Sequence, residues 1–124
     1  MRLKLLTSLA GGFSAVVAGL LTGGGDRNNT LTATGNNSQA NSALINATIT
    51  TVTVGGANTG VRLPADMAPG DEIIIYNKGT GAAINVYPNT GGNINNAGAN
   101  VAVTLANNTG CWVACVAPND YILK

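Results

Sequence analysis

The sequence predicts an all-β fold: a small antiparallel β-sandwich or barrel behind an N-terminal apolar segment. Three observations predict it. Short apolar runs recur at near-regular spacing and are cut by turn residues. No helical period appears after residue 25. The composition is rich in Gly, Asn, Thr, Val and Ile and poor in Lys, Glu and Leu, as suits sheets with many turns.

Residues 1–25 come first. Arg2 and Lys4 precede an uncharged apolar run from Leu5 to Leu21. The pattern fits a secretory leader, a short membrane span, an assembly anchor, or a strand or helix of the same domain's core. A clean small-x-small cleavage site is missing, although Ala15-Val16-Val17-Ala18-Gly19 comes near. The run is short for a span and contains Gly11, Gly12 and Gly19. The favoured reading is an anchor in which Leu5, Leu6, Leu9, Phe13, Val16, Val17, Leu20 and Leu21 contact a partner. A membrane helix is the competing reading. Gly23-Gly24-Gly25 does not sustain a helix, because each glycine costs about 1 kcal/mol against alanine there. The domain division is therefore residues 1–25 as anchor, 26–29 as linker and 30–124 as β domain.

Leu31 to Thr34 reads as a short strand, followed by a turn at Gly35-Asn36-Asn37-Ser38. Ile45 to Val54 is the longest strand pattern. Ile45, Ala47 and Ile49 share one parity, and Val52 and Val54 the other. A slip of one residue near Thr50-Thr51 predicts a β-bulge or a strand that crosses between sheets.

Residues 60–96 organise the rest. Val61 to Leu63 is a strand ended by Pro64, and Ala68-Pro69-Gly70-Asp71 is a tight turn. Glu72 to Asn77 is a strand with the run Ile73, Ile74, Ile75, Tyr76. Lys78-Gly79-Thr80-Gly81 turns the chain into Ile84 to Tyr87, which Pro88 ends. Asn89 to Asn93 leads to Ile94. Val101, Val103 and Leu105 alternate with Ala102 and Thr104, as in a half-buried strand. Gly110 to Val116 and Tyr121 to Leu123 are the last strands, separated by Pro118-Asn119-Asp120.

The same residues exclude several chemistries. The chain has no His, so His-based nucleophile triads and His metal sites are out. Only 9% of residues are charged and the net charge is +1, which leaves no basic field for nucleic acid. The acidic residues are Asp26, Asp66, Asp71, Glu72 and Asp120. Asp71 and Glu72 are adjacent and fall on opposite faces of a strand, so they do not form a hydrolytic pair. Asp71 and Asp120 read as turn-closing residues. Neither glycine run sits in a strand–turn–helix frame, so neither is a phosphate loop. Cys111 and Cys115 lie about 13 Å apart if extended, beyond disulfide reach, and read as small apolar core residues. No cofactor, metal or catalytic residue is expected.

Residues 45–124 resemble a β module of tailed-bacteriophage virion proteins. The resemblance rests on Gly60-Val61-Arg62-Leu63-Pro64, Pro69-Gly70-Asp71-Glu72, Ile75-Tyr76-Asn77, Asn85-Val86-Tyr87-Pro88 and Gly91-Gly92-Asn93-Ile94-Asn95, in that order. The Trp112 strand is similar to the module's closing hairpin. The resemblance implies a capsid decoration or head-fibre protein that forms a homotrimer. A domain of 124 residues with few large side chains has a thin core, which also points to shared burial between copies. The expected partners are other copies of the chain and the major capsid protein or another virion component, on the capsid exterior. The alternatives are a tail or collar fibre, an adhesion module binding carbohydrate through Tyr76, Tyr87 and Trp112, and a membrane-anchored surface protein. Because the aromatics sit inside strand patterns, core packing is their expected role.

Overall fold

A computed structural model of the chain describes residues 26–124. Ten strands form in chain order: β1 (Arg27–Ala33), β2 (Ala43–Leu44), β3 (Ile49–Val54), β4 (Gly60–Arg62), β5 (Glu72–Asn77), β6 (Ile84–Tyr87), β7 (Asn93–Ile94), β8 (Val103–Leu105), β9 (Thr109–Ala117) and β10 (Asp120–Leu123). Among the described residues there is no helix, so the all-β expectation stands. The strands make two sheets. One is six-stranded, in the order β1-β3-β5-β9-β10-β7, and the other four-stranded, β2-β4-β6-β8.

The strand directions correct the antiparallel sandwich or barrel expected from the turn spacing. β1, β3 and β5 run parallel in one sheet, and β2, β4 and β6 run parallel in the other. Only β6–β8, β5–β9 and β9–β10 are antiparallel. The reason lies in what the short links do. They turn the chain from one sheet to the other rather than back along the strand just left. A parallel pair needs a crossover of about a dozen residues or more. Here each crossover contains the strand of the opposite sheet. The result is a solenoid-like stack of three rungs, β1/β2, β3/β4 and β5/β6. Its far side is covered by β8 and β9, which run the other way.

Residues 45–54 do cross between the sheets, but ahead of Ile49 rather than near Thr50-Thr51, where β3 runs in unbroken register with β5. Ala43–Leu44 belongs to the four-stranded sheet and Ile49–Val54 to the six-stranded one, so the segment crosses between sheets. The Ile45 N–H donates to the Arg62 carbonyl on one side of the crossing. The Ile49 N–H donates to the Asp26 carbonyl on the other. The register irregularity falls elsewhere, between Asn28 and Leu31 of β1.

The core lies between the sheets. Val52, Ile73, Ile75, Cys111, Val113, Cys115 and Tyr121 come from the six-stranded sheet, and Val61, Ile84, Val86 and Leu105 from the four-stranded sheet. All are buried, and with Ala33, Ile45, Leu63, Met67 and Ile94 they form one cluster. One chain therefore assembles a contiguous core by itself, and shared burial between copies is not required to complete it.

Two polar residues fasten the corners. Asn77 is fully buried at the end of β5. Its amide nitrogen donates to the carbonyls of Ala82 (3.0 Å), Leu105 (3.2 Å) and Ala106 (3.2 Å), and its Oδ1 accepts the Gly79 N–H at 2.9 Å. One side chain thus ties the β5–β6 corner to the β8–β9 corner. Asp71 closes its turn as expected: Oδ2 accepts the Ala68 N–H and its own N–H donates to the Ala68 carbonyl, both at 2.9 Å. The abundance of asparagine has a backbone cause. Asn37, Asn58, Asn95, Asn96, Asn100, Asn108 and Asn119 all adopt positive φ, a conformation asparagine tolerates better than other side-chain-bearing residues. Gly60 is required by close approach, since a Cβ there would collide with the Asn85 carbonyl oxygen of the next rung.

Candidate assembly surface

The anchor residues expected from sequence, Leu5, Leu6, Leu9, Phe13, Val16, Val17, Leu20 and Leu21, lie outside the described residues. What the structure describes is the outer face of the six-stranded sheet, in which Arg27 begins β1.

Strand alternation sends every second residue of the six-stranded sheet outward. On β5 the buried residues are Ile73, Ile75 and Asn77, and the exposed ones Glu72, Ile74 and Tyr76. Cross-strand register then aligns the outward residues. Arg27 pairs with Ile49, Ile49 with Ile74, and Ile74 with Trp112. The Trp112 backbone exchanges two hydrogen bonds with Lys124, at 2.7 and 2.9 Å. A row therefore runs across five strands as Arg27, Ile49, Ile74, Trp112, Lys124. It is apolar in the middle and cationic at both ends.

The middle of the row is open to solvent: Ile49 and Ile74 are each 46% exposed and Trp112 is 38% exposed. Tyr76 stands beside it, paired with Gly110, where a Cβ would meet the tyrosine Cδ2 at 3.5 Å. The ring thus lies over the glycine and shields β9 backbone. Val116, 48% exposed, has the same outward parity on β9 but is separated from Trp112 by Ala114, which pairs with Glu72. Between the side chains is a groove of about 160 Å³ lined by Thr48, Ile49, Glu72, Ile73, Ile74 and Trp112. A cavity of about 150 Å³ holds benzene. The groove is thus sized for one large apolar side chain.

These outward residues depart from the expectation that the aromatics pack inside. Tyr87 is buried as expected, but Tyr76 and Trp112 face outward. The available signal was the unbroken run Ile73-Ile74-Ile75-Tyr76, which carries apolar residues on both faces of one strand.

The chemistry-bearing residues do not converge. Asp71 is buried in its turn while Glu72 is exposed on the outer face. Asp66 is exposed in a loop. Asp120 accepts a bond from Asn93 at 3.4 Å. Among the described residues no group of three or more His, Cys, Asp or Glu side chains is placed to hold a metal ion. Cys111 and Cys115 are free, buried and on the same inward parity of β9. Burial pushes the Cys111 thiol up to about 11, with its hydrogen bond to the Ile75 backbone acting in the opposite direction. A thiol held that far from ionisation is a poor nucleophile and metal ligand at neutral pH. Burial, and next the neighbouring Cys115, push the Tyr121 hydroxyl up to about 12.

No family model, curated protein or solved structure matches the chain.

Proposed function

We propose that the chain is a structural protein of a bacteriophage particle, a capsid decoration or head-fibre protein. It trimerises on the capsid exterior and attaches through its N-terminal segment to the major capsid protein or another virion component. The observation that supports this reading is where the five resembling sequence blocks fall. Leu63-Pro64 follows β4, Pro69-Gly70-Asp71 leads into β5, Asn77 ends β5, Asn85 to Pro88 spans most of β6 and its exit, and Gly91 to Asn95 brackets β7. The blocks thus fall on consecutive strands and corners of one scaffold. The mechanism is assembly: a rigid module repeated on a lattice gains avidity from many weak contacts.

Phage particles banded on a density gradient test the reading. The chain is expected in the DNA-filled head band, in fixed ratio to the capsid protein and resistant to mild detergent. Recovery in the detergent-soluble membrane fraction would overturn it.

A second reading, an adhesion module for surface carbohydrate, is favoured by the neighbouring exposed rings of Tyr76 and Trp112. Saturable change of Trp112 emission on titration with bacterial surface oligosaccharide is its expected mark. An unchanged spectrum removes it.

A further inference from the structure

We propose that the outer face of the six-stranded sheet is the seat of the chain's own apolar run, residues 5–21, in the free protein. The inference concerns the isolated chain and does not rest on the particle reading.

The first argument is that this face, unlike the sheet edges, suits an occupant. β1 carries a register irregularity between Asn28 and Leu31, and the edge strands β2 and β7 of the two sheets have two residues each. Short or irregular edges discourage strand addition. The outer face instead offers Ile49, Ile74 and Trp112 aligned in one row with Tyr76 beside them, and a groove with room for one large apolar side chain. An exposed apolar patch of this kind marks a contact surface.

The second argument is the place where the remaining chain meets the described domain. Asp26 and Arg27 stand at the start of the row, with Arg27 in register with Ile49. The Asp26 carbonyl accepts the Ile49 N–H, and its carboxylate accepts the Thr48 hydroxyl at the rim of the groove. Residues 22–25 separate the apolar run from this point. Four residues reach about 14 Å at most. Trp112 lies three strands from β1, also about 14 Å at strand spacing. The run thus starts within reach of the whole patch in its own chain.

The third argument is chemical match. The run from Leu5 to Leu21 has no charged residue, and Ile49, Ile74 and Trp112 in the middle of the row are apolar, with the Glu72 carboxylate at one wall of the groove. Its Leu, Val and Phe side chains fit a groove of about 160 Å³. The charged residues Arg27 and Lys124 lie at the ends of the row, clear of its middle.

Trp112 is the single tryptophan of the chain and sits in the seat, so it reports directly. The experiment uses the full chain, dilute and without detergent. Acrylamide quenching and the emission maximum are compared with those of a Leu9→Asp, Phe13→Asp, Val16→Asp variant, which leaves residues 26–124 unaltered. The expected result is a shielded Trp112 in the unaltered chain and, in the variant, a red-shifted emission with faster quenching. Both chains are expected to keep the same cooperative melt. Equal quenching in the two chains would overturn the proposal. So would shielding that survives in the variant but fades on dilution, because a second copy's sheet would then be the occupant. So would aggregation of the unaltered chain where the variant stays dispersed, because a seated run would not aggregate. A second alteration, Ile74→Asp, attacks the seat and leaves residues 5–21 intact. It is expected to speed cleavage within residues 1–25 by a protease selective for Leu and Phe, and an unchanged rate would count against the proposal.

Discussion

The two faces of the six-stranded sheet are built from the same strands and differ in what their side chains meet. The inner face of β5 places Ile73, Ile75 and Asn77 in a closed core in which the Asn77 amide bonds three carbonyls. The outer face of the same strand leaves Ile74 and Tyr76 in solvent, in line with Ile49 and Trp112. Alternation decides which residue goes where, yet both faces are apolar. Stability resides in the inner face, and the outer one is free for contacts with other segments or molecules.

The largest effect is expected at the polar anchor of the inner face. Asn77→Asp would aim a carboxylate at three carbonyl oxygens without a donor. Breaking a buried polar arrangement in this way costs about 3–5 kcal/mol. Loss of the cooperative thermal transition near room temperature is the expected outcome, read by circular dichroism.

Neighbouring isoleucines give the sharpest contrast between faces. Ile75 is fully buried and Ile74 is 46% exposed. Ile75→Ala is expected to destabilise by about 2–5 kcal/mol and Ile74→Ala by well under half of that. Urea titration of the two variants measures the difference, and equal losses would mean that both faces are covered.

Ionisation of the inner face gives a third effect. Burial raises the Cys111 thiol from 9.0 to about 11 and the Tyr121 hydroxyl from 10.0 to about 12. An acid whose folded value is raised ionises first in the unfolded chain. Its stabilising contribution is whole below the unfolded value and is lost as pH rises through the folded one. Stability is therefore expected to hold below pH 9 and to fall between pH 9 and about 12, with Cys111→Ala removing the earlier part of the fall. Thermal melts across that range are the check.

The smallest effect is a gain. The Thr50 hydroxyl is buried on the inner face without a hydrogen-bond partner. Thr50→Val keeps the branched shape and removes the orphaned group, for an expected gain of about 1 kcal/mol. A rise of the melting temperature by a few degrees is the expected reading.

These contrasts mark how far the sequence was legible. Glu72 to Asn77 and Ile84 to Tyr87 were readable to the residue, because turns with glycine or proline flank apolar strands there. A crossing between sheets within residues 45–54 was readable, but not its place: it lies ahead of Ile49 rather than near Thr50-Thr51, and the irregular register lies in β1. Strand direction was not readable. A period of two fixes which face a residue joins and is silent on whether a link returns along the strand or turns to another sheet. The seven positive-φ asparagines appeared only as turn composition, since left-handed backbone is a property of place rather than of residue type. The apolar outer face was present in the isoleucine run, but its alignment with Trp112 depends on pairing between β5 and β9, which are far apart in sequence.

Residues 26–124 alone, unaltered and with Ile74→Lys, give the most direct test of the division between the two faces, by thermal melting and sedimentation velocity without detergent. The account predicts that both melt cooperatively at nearly the same temperature, that the unaltered chain associates as its concentration rises, and that the variant stays monomeric. A shortened chain without a cooperative melt, or one whose association ignores Ile74→Lys, would contradict it.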